Sequence, residues 1–330
     1  MRKLLLLTFA ILLFSCNNKY IDVSNINVDY NIIRFDSILF SNNVDSIDNF
    51  MPKYLVKYPD FIETYTSGVI SVGNVGSRDF NIRFKEFIAY TSEFEIDKAV
   101  KNQFSDFENV KLEINDALKY YKYYFPKQTI PDIYTYISGF NQSVIVGNNF
   151  IGVGLDKYLG ANSNYYIDLN MPNYIRYKTD KRFIPVDVIR ALAYYNFDFP
   201  ENTNTLLSKI IYEGKIQFFV DKMFPTTEDS TKIAYNTSQI EWCEKNEKEV
   251  WTWLIENKKL FSTDFKEIRS FVGESPFTVE LSKDAPGRIG IWIGWQIVKK
   301  YMENNPKITI EQLMKDNDFQ GVLNNAKYNP

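Results

Sequence analysis

The sequence predicts an α+β fold: one small antiparallel or mixed sheet with a helix-rich C-terminal half. Three observations predict it. Strand-like runs are concentrated between residues 130 and 157. From Phe183 onward the apolar residues recur at helical spacing almost to the end. No internal repeat divides the chain, which argues against a helical solenoid. A sheet followed by a run of helices is the α+β pattern rather than an alternating one.

The elements follow in order. Arg2 and Lys3 precede a ten-residue apolar run, Leu4 to Leu13. A transmembrane helix needs about 20 residues, so this run suits a secretion signal. Leu13-Phe14-Ser15-Cys16 has an apolar residue three before the cysteine and a small one just before it. That is a lipobox, and it predicts a lipoprotein signal over 1–15 with lipidation at Cys16. Two or three acyl chains anchor stably where one is marginal. Residues 16–30, rich in Asn and Asp, read as an anchored tether, and 31–330 as one globular domain.

Asn31 to Phe40 reads as a strand or a strand-helix junction. Ser46 to Phe61 and Phe80 to Tyr90 carry helical spacing, with Pro52 and Pro59 marking an irregularity or an end. Ser105 with Glu108 forms a capping-box pattern for a helix that Pro126 stops. Its tyrosine cluster, Tyr120 to Tyr124, reads as packing or as a carbohydrate platform. Ile133–Ile137, Ser143–Val146 and Phe150–Leu155 are strand-like, with a turn at Gly147-Asn148-Asn149. Gly152 and Gly154 leave one face of the last strand bare for close approach by another backbone. Four helices follow from Phe183, Thr205, Asn236 and Gly287, and Thr309 with Gln312 caps a short fifth.

Composition narrows the chemistry. The chain has no histidine, which removes Ser-His-Asp and Cys-His catalysis and H-E-x-x-H zinc binding. Neither a metal nor a cofactor is expected. Cys243 is the only cysteine besides Cys16, so no intrachain disulfide is available; it reads as a packing residue or a lone thiol. Without Arg2 and Lys3 there are 36 basic against 41 acidic side chains, a net charge of −5. That argues against nucleic acid or an anionic membrane surface as a partner.

Three stretches together resemble the gliding-motility lipoprotein GldB family of the Bacteroidota. They are Lys181-Arg-Phe-Ile-Pro-Val-Asp-Val-Ile-Arg190 with Tyr212-Glu-Gly214 and Asp221-Lys-Met223; Gln239 to Asn246 with Trp251 and Trp253; and Ala285-Pro-Gly-Arg-Ile-Gly-Ile-Trp-Ile-Gly-Trp-Gln-Ile-Val298. The resemblance implies a non-enzymatic lipoprotein of the cell envelope. It implies contacts with other gliding-motility and type IX secretion proteins, and attachment to the membrane through the N-terminal lipid. Asn17-Asn18-Lys19 lacks the acidic pair expected of surface export, so a periplasm-facing location follows.

A more distant resemblance is to gluzincin-type zinc metallopeptidases. Residues four apart on a helix share a face and can grip one metal. Placed on this chain, the two histidine positions fall on Val186 and Arg190, the catalytic glutamate on Asp187 and the third ligand on Glu213. With both imidazoles missing, a degenerate site is expected, in which Arg190 bridges Asp187 and Glu213 in place of the metal. Gly287, Gly290 and Gly294 lie on one helical stripe with Trp292 and Trp295 to either side. This is a packing motif or, with Arg288, a ligand cleft. Two further functions stay open: a glycosidase-like hydrolase using two carboxylates such as Asp187 and Glu213, and a sugar-binding lipoprotein using exposed aromatics.

Overall fold

The computed structural model describes residues 20–330 apart from Asn43 and Asn202. Cys16, the expected lipid site, and the signal segment lie outside the described residues.

Strand β1 (Ile32–Arg34) runs into α1 (Phe35–Ser41), so the first element is a strand-helix junction. Helices α2 (Ile47–Lys57), α3 (Pro59–Glu63), α4 (Phe80–Glu93), α5 (Ile96–Gln103) and α6 (Glu108–Tyr124) follow. Strands β2 (Asp132–Tyr136), β3 (Val144–Gly147) and β4 (Phe150–Gly154) then complete one four-stranded sheet of order β1-β2-β4-β3. It is mixed: β1, β2 and β4 run parallel, and β3 lies antiparallel at an edge. Next come α7 (Asn164–Asp168), α8 (Asn173–Arg176), α9 (Ile184–Asn196), α10 (Leu206–Met223), α11 (Asp229–Ile233) and α12 (Thr237–Glu256). Helices α13 (Phe265–Val272), α14 (Ile289–Asn304), α15 (Ile310–Lys315) and α16 (Phe319–Ala326) end the chain. The fold is α+β with a helix-rich C-terminal half, as expected.

Strand alternation divides the interior in two. Ile133, Ile151 and Val153 face the helical half and join a large aliphatic core with α6, α9, α10 and α14. Tyr134, Tyr136 and Phe150 face the other way, into an aromatic core with Phe35, Phe61 and Tyr65 from the N-terminal helices. Phe61 stacks on Tyr134 with ring centroids 4.3 Å apart. The bare face of β4 serves this aromatic side. A Cβ on Gly152 would fall 2.8 Å from the Tyr136 ring, and one on Gly154 would fall 2.2 Å from the Gln142 carbonyl oxygen. Backbone therefore approaches at Gly154, whereas side chains cover Gly152.

The capping box of Thr309 with Gln312 forms as read, and Asn236 with Gln239 forms another at the start of α12. The one at Ser105 does not. The Ser105 hydroxyl turns back to the Asn102 carbonyl (3.0 Å), and Asp106 accepts from the Glu108 amide instead (3.0 Å). The tyrosine cluster is largely packing: Tyr121 and Phe125 are buried and stack on each other. Some of the stretch read as a tether lies on the body. Val23 is buried, and Tyr120 Oη donates to the Ile21 carbonyl (3.1 Å).

Gly287, by contrast, precedes α14 and packs against the Ser275 carbonyl, so the glycine stripe inside the helix is Gly290 and Gly294. There the packing reading holds. A Cβ on Gly294 would lie 1.9 Å from the Ile210 carbonyl oxygen, and one on Gly214 would lie 2.2 Å from the Gly294 carbonyl carbon. Helices α10 and α14 thus cross backbone to backbone, with Trp292 and Trp295 buried beside the crossing. Cys243 is buried as well, and burial pushes its thiol far up, so it is packing rather than a nucleophile.

Candidate functional site

A cleft of about 430 Å³ opens between edge strand β3 and helix α9. Val144 and Val146 form one wall, because alternation turns both toward the α9 side while Ile145 turns to the aromatic core. The α9 wall is Asp187, Arg190, Ala191 and Tyr194, a stripe at i, i+3, i+4 and i+7. Loop residues Lys157, Tyr158, Lys178 and Glu274 close the ends. Ionisable groups thus project from several separate segments into a partly apolar groove, the usual composition of a ligand site.

The carboxylates are held by phenols. Tyr158 Oη donates to Asp187 Oδ2 (2.8 Å), and Tyr194 Oη donates to Glu213 Oε2 (2.6 Å). Burial pushes the Asp187 carboxyl up, against the pull of Tyr158, Arg190 and Lys178. Burial likewise pushes Glu213 up, against Tyr194, Arg190 and Lys209. Glu274 goes the other way: burial acts to raise it, but Arg288 and Lys178 outweigh that and hold it low. Lys178 pairs with Glu274, yet burial and the nearby Arg288 bring its ammonium down to about 8.

Arg190 is the group that departs most from expectation. Its Nη2 donates to Gln217 Oε1 (2.9 Å) and to the Lys232 carbonyl (2.5 Å). No ion pair joins it to Asp187 or Glu213 among the described residues. The expected bridge is therefore replaced by two phenol-carboxylate pairs and a guanidinium on neutral acceptors. The reason is local: Gln217 lies one helical turn beyond Glu213 on α10 and offers an uncharged oxygen to Arg190. The other two guanidinium nitrogens make no hydrogen bond among the described residues.

A family model described as gliding motility protein GldB matches residues 16–330. The chain belongs to this family. Membership of the GldB family makes it a gliding-motility component. No curated protein and no solved structure matches the chain. No helix among the described residues is long and apolar enough to cross a membrane. Among them, too, no three Cys, Asp or Glu side chains gather in a group able to hold a metal.

The structure brings Asp187, Arg190 and Glu213 together where α9 and α10 pack side by side, and leaves Val186 out, buried in the core. The glycine-tryptophan motif of this GldB-family chain divides between two tasks. Gly290, Trp292, Gly294 and Trp295 pack, while Gly287 and Arg288 line a second cavity of about 300 Å³. Arg288, with φ at 63°, donates to the Ile233 carbonyl (2.9 Å) and lies 3.5 Å from Glu274. Lys178 borders both cavities.

Sequence reasoning missed Tyr158, Lys178, Tyr194, Gln217 and Glu274. Tyr194 and Gln217 were within reach, each four residues from a site residue on the same helix. Lys178 and Glu274 lie outside the helices, and only Gly273 and Pro276 around Glu274 marked its loop as special.

Proposed function

We propose that this chain is a lipid-anchored, non-enzymatic envelope component of the gliding apparatus, associated with type IX secretion. It works by holding a segment of another envelope protein in the β3–α9 cleft. The carrying observation is Arg190, which lines the cleft with two guanidinium nitrogens that make no hydrogen bond among the described residues. A planar guanidinium with open donors is a receptor for a carboxylate or carbonyl supplied by a partner. Descent from a gluzincin-type peptidase belongs to the same proposal. What supports it is the placement of Asp187 and Glu213 on adjacent helices around the cation.

The test is in cells. A photo-crosslinking residue at Val146, which lines the cleft, is expected to capture an envelope protein. Arg190→Met is expected to abolish both capture and gliding when its expression is raised to match the parent's abundance, which offsets its lower stability. Wild-type gliding with capture intact would overturn the reading.

One observation favours a second reading. Asp187 and Glu274 share the cleft, one carboxyl pushed up and the other held low. That divergence suits an acid and a base in a carboxylate hydrolase. If the purified protein releases reducing ends from envelope polysaccharide and Asp187→Asn abolishes the release, the hydrolase reading replaces the first.

A further inference from the structure

We propose that the tyrosine-rich surface where the N-terminal segment joins the body lies against the bilayer, with Tyr20, Ile21 and Tyr123 in the headgroup layer. The proposal rests on the reading that Cys16 carries the lipid.

Distance is the first argument. The N-terminal segment is seated on the body from Ile21 onward, held by the Tyr120 hydroxyl and by buried Val23. Ile21 is five chain steps from Cys16, a reach of at most about 18 Å even when fully extended. A body of this length is roughly 50 Å across, from the usual scaling of radius with chain length. A leash much shorter than the body cannot let it turn its far side to the membrane. The surface around Ile21 therefore stays within about 18 Å of the lipidated cysteine, roughly three headgroup layers.

Chemistry is the second argument. Tyr20, Ile21 and Tyr123 are exposed at 42%, 37% and 47%. Half-buried Tyr120 and Tyr124 line a shallow cavity beside them, with Asp221 and Lys222 at its rim. Tyrosine is enriched at membrane–water interfaces because its ring is apolar and its hydroxyl stays wet. Charge near the patch is mixed: Lys119 pairs with Asp116 (2.9 Å), Lys122 donates to the Pro126 and Gln128 carbonyls, Lys222 lies 4.0 Å from an Asp221 that also pairs with Lys232, and Asp22 stands near Tyr120. Neither sign of charge dominates the patch. It suits zwitterionic headgroups and needs no anionic lipid, in keeping with the acidic chain as a whole.

The experiment uses the lipidated full chain in phosphatidylcholine vesicles. Cys243 is buried and Cys16 acylated, so Tyr123→Cys gives one reactive position for a nitroxide label. Phe265→Cys is the comparison. Phe265 is 70% exposed and follows Ser262, whose carbonyl accepts from the Leu206 amide at the start of α10. Asp221 and Lys222 lie at the other end of that 18-residue helix, about 25 Å away. The label at 123 is expected to lose collisions with an aqueous nickel chelate and gain them with oxygen, and the label at 265 to do neither. Equal aqueous accessibility at the two positions, in protein that floats with the vesicles, overturns the proposal alone. Protein that does not float overturns the anchor as well.

Discussion

Glu213 and Gly214 are consecutive residues of α10 and belong to opposite kinds of surface. Gly214 meets Gly294 of α14 with no side chain between the backbones. Glu213 faces the Tyr194 hydroxyl next to a cleft that holds charge and water-accessible donors. The first contact is decided by shape and tolerates no added atom. The second is decided by where protons and hydrogen bonds sit. One helix therefore separates residues that hold the fold from residues available for work, and substitutions on its two sides should differ in kind.

The largest effect is expected on the dry side. Gly294→Leu is expected to prevent folding, because even its Cβ would overlap the Ile210 carbonyl. Gly214→Ala alone is expected to cost about 3 kcal/mol, the upper end for an overpacked core. Thermal melts decide it: an unchanged Tm for Gly294→Leu discards the contact.

Next comes Arg190. Arg190→Ala strips partners from the Gln217 side chain and the Lys232 carbonyl, a loss of about 1–3 kcal/mol. That is less than a bridge between two carboxylates would have been worth, and urea titration measures it.

Lys215, buried beside the crossing, supplies a pH signature. Burial lowers its ammonium to about 8, while its Nζ donates to the Asp316 carbonyl. The folded chain then binds fewer protons than the unfolded one between about 8 and 10.5. Stability should rise with pH across the lower half of that window, before tyrosine ionisation intervenes. Denaturation at pH 8 and 9.5 checks this, with Lys215→Met expected to remove about half of the rise, since Lys178 is lowered to about 8 as well.

A smaller gain is expected in the cleft. A carboxyl raised by burial adds stability that is complete below its unfolded value and lost as pH climbs through the folded one. Glu213→Gln removes that loss and still accepts from Tyr194. The variant should melt above the parent at pH 7 and level with it near pH 4. A lower Tm at pH 7 would show that the charge stabilises the site. Metal analysis is the finest check on the comparison: dialysed protein is expected to hold no stoichiometric zinc.

The dry side was the legible one. Glycines spaced along an apolar helix imply close approach, and the alternation of β2 and β4 sorts their residues to two cores without reference to any partner. Asp187 and Arg190 were found together because three residues on a helix make neighbours. Their partners were not found, since the hydrogen bond from Arg190 depends on the relative rotation of α9 and α10, which neither helix encodes alone. Lys178 and Glu274 meet only through the tertiary path of two loops, 96 residues apart in sequence. The Ser105 box failed for a simpler reason: a hydroxyl has more than one carbonyl in reach, and the acid beside it was the better cap.

The seat of the N-terminal segment also settles how a pull would travel. The chain first touches the body at Ile21 and Val23 and then enters the sheet at β1, which lies parallel to β2 over three residue pairs. Asn31 is pinned just upstream, by its amide and side chain to Asp132 and by its carbonyl to the Ile133 amide. Beyond the strand, Asp36 is gripped by Arg34 and Thr135. If the chain is anchored at Cys16 as proposed, traction that reaches β1 would meet these bonds together and not one at a time. A pull on that anchor would then be a pull on the sheet, the same sheet whose edge strand β3 walls the cleft.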